Sequence, residues 1–216
     1  ELKKVPLRGG TPVTIARVAM PCGAVWTVDD RILVSEYFRP LAAVSAAGGE
    51  LTPLFYTGST WPQALPGGGW LLGAGGRQLR LTSLADGQEY VIAPDRVVPA
   101  DSAGVFVRGT YPRYVASGHI IYLSGNTLMA LPFDLRHRGV LGPATPILNG
   151  VRRENAQGPG QYAVSEDGTL VYVQGAGVGP SPAPWPHDEL VFPLSSPLSY
   201  PANEATGAST ATFGAG

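Results

Sequence analysis

The sequence predicts an all-β protein built from consecutive antiparallel hairpins, and three observations carry that prediction. The first is the stretch Tyr111–Asp134, in which short apolar runs are separated by Ala116-Ser-Gly118 and Ser124-Gly-Asn126. Alternating apolar runs punctuated by Gly, Asn and Ser mark a meander. The second is composition: only 14% of the 216 residues are charged, whereas Gly (29) and Pro (21) are abundant. That balance suits short strands and tight turns, not long helices. The third is repetition. Four segments share one inner hairpin: Ala24–Val34, Trp61–Leu72, Tyr111–Tyr122 and Gln161–Val173. Their aromatics Trp26, Trp61, Tyr111 and Tyr162 recur at intervals of roughly 35 to 50 residues, a bracket that contains the period of a four-stranded propeller blade. The expected fold is therefore a β-propeller of four-stranded antiparallel blades, with about four blades or a partial ring.

Taken in order, the chain opens with an outer hairpin: Leu2–Leu7, the turn Arg8-Gly-Gly10, then Thr11–Ala16. The inner hairpin Ala24–Val34 follows, and Leu41–Ser45 turns at Ala46–Gly49 into Glu50–Phe55. Trp61–Leu72 is the next inner hairpin, and Gln78–Leu84 turns at Ala85-Asp-Gly87 into Gln88–Ala93. Pro94–Thr110 is longer than the other connections and carries Arg96, Asp101 and Arg108; loops of that length are more often functional or mobile than short ones. Tyr111–Val115, His119–Leu123 and Thr127–Phe133 then read as three strands, with Val140–Leu148 as the fourth. Gln161–Val173 is an inner hairpin with no outer partner after it, and residues 1–16 are an outer hairpin with no inner partner before it. The two halves are expected to pair in one closing blade, which removes exposed sheet edges. Residues 1–175 form the β unit on this division, and 176–216 an atypical tail rich in Pro, Gly and Ser, in which Glu189–Phe192 is the one short strand expected.

Charge and cysteine usage exclude several classes. The formal net charge is −1 and no basic block stands out, so a nucleic-acid footprint is not expected. The single Cys22 excludes an intrachain disulfide and a cysteine metal cluster, and reads as a small buried apolar residue. No run has the apolar length of a membrane helix, and the start shows no signal-peptide pattern. The chain begins Glu1-Leu-Lys-Lys without an initiator Met, which is expected of a processed chain or of a piece of something longer.

Glu1–Ala16, Val44–Leu54, Tyr111–Val151 and Gln161–Val173 resemble the TolB-like, WD-repeat-like propellers of bacteria, in particular those that follow the catalytic domain of bacterial serine/threonine kinases. The resemblance covers about residues 1–175, and Tyr111–Asp134 is its most specific part. It implies a module that senses or binds partners in an extracytoplasmic compartment, periplasmic or cell-surface. Relatives of this kind have six or seven blades, and this chain has sequence for about four. The kinase motifs are absent: no glycine-rich nucleotide loop, no His-Arg-Asp loop and no Asp-Phe-Gly.

The favoured function is a non-catalytic interaction or sensor module that takes a protein, peptide or small ligand at the ring face. Trp61, Tyr111, Arg113, Tyr114 and Tyr162 are the candidate binding residues, because aromatics of the inner strands line the core or border a pocket at the channel mouth. Arg152 and Arg153 are further candidates for an anionic partner, against a default of solvated arginines. A homo-oligomer is an alternative way to complete the ring. The competing class is an esterase-like hydrolase at the channel mouth, with Ser117, His119, Asp134 and His137 as its residues. No Gly-x-Ser-x-Gly elbow exists, so a turn serine and a strand histidine outweigh a catalytic pair. Asp29-Asp30, Asp86 and Glu166-Asp167 occupy hairpin turns, where Asp bonds nearby backbone amides. No metal and no cofactor is expected.

Overall fold

The computed structural model describes residues 1–153, 158–165, 168–175, 190–193 and 208–212; Glu166-Asp167, His187 and most of the tail lie outside the described residues. The all-β expectation holds: every regular element among the described residues is a strand. No helix long and apolar enough to cross a membrane occurs among the described residues.

Among the described residues the strands form five sheets. β1 (Leu2–Val5) and β2 (Val13–Ala16) make a hairpin in the first. The second is the meander β3 (Pro21–Trp26), β4 (Arg31–Glu36), β5 (Leu41–Ser45) and β6 (Thr52–Phe55). The third is β7 (Thr60–Ala64), β8 (Trp70–Gly75), β9 (Gln78–Ser83), β10 (Glu89–Ile92) and β11 (Val97–Pro99). The fourth contains β12 (Thr110–Val115), β13 (His119–Ser124) and β14 (Thr127–Asp134), with β15 (Gly139–Val140) and β16 (Thr145–Leu148) both paired to β14. The fifth begins with β17 (Tyr162–Val164) and β18 (Thr169–Val173). β19 (Leu190–Pro193) joins the first sheet alongside β1 in parallel, and β20 (Ala208–Thr212) joins the fifth alongside β18.

The sheets stack face on face in chain order, and the middle strands explain why. Successive residues of a strand point to opposite faces. Ile32 and Val34 of β4 pack with Leu2 and Ile15 of the first sheet, while Leu33 between them packs with Leu71 of the third. Leu72 turns the other way and meets Ile120, Leu131 and Phe133 of the fourth sheet. Ile121 and Leu123 share a core with Tyr162 and Leu170 of the fifth. Each middle strand is thus buried on both faces, which is why Ile32-Leu-Val34, Leu71-Leu72 and Ile120-Ile-Tyr-Leu123 are unbroken apolar runs. Removing each such side chain from water stabilises the fold by about 1.5–3 kcal/mol.

The structure departs from the sequence expectation at four places. The first hairpin does not pair with β17 and β18; β19 covers its edge, and β20 covers that of β18. The protection of both edges is achieved, but by the tail. Pro94–Thr110 is not all loop: Val97–Pro99 turns back onto β10, closed by the Ala93 amide on the Arg96 carbonyl at 2.8 Å, and Val107 is buried. The strand expected over Val140–Leu148 is split into β15 and β16 around Leu141-Gly-Pro143, where the proline has no amide to offer a ladder. The opening hairpin strands end earlier and start later than expected, at Val5 and Val13.

One largely buried carboxylate ties the second sheet to the third. Glu89 at the start of β10 accepts hydrogen bonds from Thr57 Oγ1 at 2.5 Å, the Gly58 amide at 3.0 Å and Ser59 Oγ at 3.0 Å, all in the connection that leads into β7. Arg80 Nη1 lies 2.9 Å away, and the two side chains are 18% and 14% exposed. Burial pushes the Glu89 carboxyl up, but the Thr57 and Gly58 hydrogen bonds, the Arg80 charge and the Ser59 hydrogen bond outweigh it and hold the group below its ordinary value. A depressed folded-state value contributes stability above the unfolded value, and that contribution is lost as pH falls through the folded one. Glu89→Gln is expected to lower stability by about 1–3 kcal/mol at neutral pH. In urea melts taken as a pH series, the gap to the native protein should close below about pH 4.5, the ordinary Glu value.

Candidate functional site

The residues singled out from the sequence as binding candidates lie on the innermost strands, where one sheet meets the next. β7 and β12 carry the same tetrapeptide pattern, Thr60-Trp-Pro-Gln63 and Thr110-Tyr-Pro-Arg113. In both, the aromatic is left-handed, with φ of 57° at Trp61 and 53° at Tyr111. In both, the register to the neighbouring strand shifts across the motif. A left-handed aromatic costs about 1–3 kcal/mol and persists only where its surroundings hold it; a bulge of this kind re-aims a side chain. In β3 the register shifts at the same place, and Gly23 is the residue with positive φ, at 136°. The next sheet approaches so closely there that a Cβ on Gly23 would lie 2.8 Å from Pro62 Cδ.

The bulges bring Trp61 and Tyr111 together, and Tyr162 of the fifth sheet joins them. Trp61 and Tyr111 stand 6.2 Å apart at 71°, and Tyr111 and Tyr162 stand 5.3 Å apart at 86°. The Arg113 guanidinium lies 4.0 Å over the Tyr111 ring. Its Nη1 donates to the Trp61 carbonyl at 3.0 Å and to the Pro112 carbonyl at 2.8 Å. Tyr162 is buried, and its hydroxyl donates to the Tyr111 carbonyl. Burial drives that phenol far above its ordinary value, against the opposing charge of Arg113, so it stays a neutral donor. Gln63 completes the junction: its Oε1 accepts the Tyr114 amide at 2.7 Å and its Nε2 donates to the Tyr114 carbonyl at 3.1 Å.

Four of the five candidates, Trp61, Tyr111, Arg113 and Tyr162, therefore form one cluster. Tyr114 does not join it: its ring packs 6.5 Å from Phe133 in the core of the third and fourth sheets. The cluster is mainly a joint. Arg113 is committed to two carbonyls and a ring, and Tyr162 is sealed. Trp61 is half-buried where the sequence suggested a core residue, and so is Trp26, whose Nε1 donates to Asp30 Oδ1 at 2.8 Å. Gln63 was not singled out from the sequence. The Thr-aromatic-Pro-polar pattern repeated in β7 and β12 is the signal that marks it.

The alternative hydrolase residues fall into two separate turn pairs. Ser117 Oγ lies 3.2 Å from His119 Nδ1, but the same nitrogen lies 3.0 Å from the Ser117 carbonyl. A carbonyl there selects the protonated nitrogen, which cannot take the serine proton. Asp134 does not orient His119; its Oδ2 meets His137 Nδ1 at 2.5 Å, and its Oδ1 accepts the Arg136 and His137 amides at 2.8 and 3.2 Å. These bonds, the His137 side chain foremost, hold the Asp134 carboxyl below its ordinary value. Among the described residues, no three His, Cys, Asp or Glu side chains converge as a metal site. Cys22 is buried beside Ser35 Oγ at 3.3 Å, and burial pushes its thiol up.

The end of the stack that carries the sheet-to-sheet connections has a different character. The β4–β5 turn exposes Tyr37 and Phe38, the latter 93% exposed and left-handed at φ 61°. Met20 is exposed beside them, its carbonyl accepting the Tyr37 amide at 3.1 Å. Arg17 and Arg39 are exposed on the flanking segments and line one groove with Glu36 and Glu50. Glu36 is committed, its Oε1 accepting the Ala19 and Met20 amides at 2.6 and 3.1 Å.

No family model matches the chain, and no curated protein matches it. Among solved structures it is similar to a protein of unknown function from Bacteroides caccae, at 13% identity over 71% of this chain and 70% of that chain, with a TM-score of 0.39.

The joint between the third and fourth sheets is testable at Gln63. Gln63→Ala leaves both the amide and the carbonyl of Tyr114 without their partner, and should cost about 1–3 kcal/mol. Chemical denaturation checks it; a variant with the native midpoint would show that the side chain bridges nothing of consequence.

Proposed function

We propose that the chain is a segment of a β-propeller, its stacked sheets acting as successive blades, and that it serves as a non-catalytic interaction module for an acidic protein or peptide. The propeller reading is supported by the face-on-face order of the sheets and by the bulged innermost strands that abut one another. The observation that carries the binding reading is the β4–β5 turn. Phe38 is held in a left-handed conformation with its ring in solvent and 6.2 Å from the Tyr37 ring, an arrangement that costs backbone strain and buries little in return. Aromatic residues, Met and Arg are the types enriched at protein interfaces. Phe38, Tyr37 and Met20 flanked by Arg17 and Arg39 make such a surface. Neither arginine has an ion-pair partner among the described residues, so the complementary partner is acidic with an apolar anchor.

The test is selection of a random displayed-peptide library on the intact chain. Enrichment of peptides that combine Asp or Glu with an apolar residue is expected. Phe38→Ala and Arg39→Glu should each weaken the selected peptides at least tenfold, while thermal stability stays within about 0.5 kcal/mol of native, as for surface changes generally. Selected peptides that bind both variants as well as the native chain would contradict the assignment.

A further inference from the structure

A second feature stands apart from the Phe38 turn and does not depend on it. Between the Pro94–Arg108 segment of the third sheet and the outer part of the fourth lies a cavity of about 620 Å³. That is within the roughly 300–1,000 Å³ of small-molecule sites. Phe106, Leu131 and Leu141 give it apolar walls. Tyr122 lines it, only 4% exposed, and its hydroxyl has no hydrogen-bond partner among the described residues. A buried hydroxyl is normally satisfied; this one is not sealed off and is free to meet whatever enters. Burial pushes the Tyr122 phenol up, so it is neutral and can donate.

The charge balance of the cavity is equally specific. Two charged side chains line it, Asp95 and Arg108. Asp95 is held by Arg96, whose Nη1 lies 3.0 Å from Oδ2 and 3.1 Å from Oδ1. Arg108 has no carboxylate partner among the described residues. Gly109, the next residue, passes close to the phenol ring: a Cβ there would be 2.2 Å from Tyr122 Cδ2. The chain is thus fixed so that the Arg108 position adjoins Tyr122. An unpaired guanidinium and an unpartnered phenol lining one cavity suit a carboxylate, which accepts from both.

We infer that this cavity binds a carboxylate with an apolar body, free or as the C-terminal residue of a peptide, the carboxylate on Arg108 and the Tyr122 hydroxyl and the body against Phe106, Leu131 and Leu141. The ligand displaces no internal hydrogen bond of Tyr122. Specificity comes from the acid group, because the apolar walls accept bodies of several shapes.

The test is a titration of the ¹⁵N-labelled full chain with 3-phenylpropanoate, with 3-phenylpropanamide, and with a short peptide ending in Phe as the free acid or the amide. The acid should shift amides around 106–109 and 122–124, and the neutral amide should bind at least tenfold more weakly. Arg108→Gln should weaken the acid tenfold, and Tyr122→Phe, which keeps the ring, three- to tenfold, each with an otherwise native spectrum. A peptide acid tighter than 3-phenylpropanoate assigns the site to chain termini, and the reverse assigns it to free small acids. The acid–amide comparison on the native chain needs no variant, so a variant that fails to fold leaves the test intact. No localised shift at millimolar acid, equal binding of acid and amide, or an Arg108→Gln chain that binds as well as native would overturn the inference.

Discussion

Everything in this chain depends on the fact that none of its sheets can bury itself. Three to five short strands make a sheet with two faces, and the middle strands of the second, third and fourth sheets are apolar on both. Water is excluded only when a neighbouring sheet lies on each side. Leu33 and Leu72, both fully buried, show the consequence, since each sits in a core that two sheets share. Stability is therefore distributed along the stack, and the joints at the innermost strands decide whether the sheets meet in register. The left-handed Trp61 and Tyr111 are the strain this arrangement carries. Arg113, Gln63 and Tyr162 offset it with hydrogen bonds that cross from one sheet to the next.

The strands were legible because their signals are local. β4, β5, β8, β9, β13 and β14 lie where apolar runs bounded by Gly, Asp and Asn turns placed them. Asp86 serves its turn as that residue type does, its Oδ1 accepting the Gln88 amide at 3.2 Å, whereas Asp30 Oδ1 accepts from the Trp26 indole rather than from a backbone amide. What was not legible is long-range. Nothing in Leu2–Val5 indicates that its parallel neighbour is Leu190–Pro193 rather than the hairpin at Tyr162–Val173. β11 was missed because Val97-Val-Pro99 is too short to rise above a loop rich in Pro, Asp and Arg.

The site was legible in part for a similar reason. Aromatic recurrence brought Trp61, Tyr111 and Tyr162 forward, and they do converge. Tyr114 shares a strand with Tyr111 but, three residues on, faces the opposite side and packs into a core. No single-sequence rule places a non-glycine aromatic at positive φ. Ser117, His119, Asp134 and His137 were candidates by type alone; the hairpins bring each into contact with its own turn instead. Phe38 and Tyr122 escaped notice, and Arg108 stood out only as one charge among several in a long connection, because exposure and missing hydrogen bonds are properties of the folded chain.

Native-state hydrogen exchange tests the central claim, that face-to-face stacking makes the sheets a single cooperative unit. Amides of β4, β8 and β13, at the middle of the second, third and fourth sheets, should exchange with one common free energy equal to that of global unfolding. Three separate values, with the sheets opening independently of one another, would contradict the account.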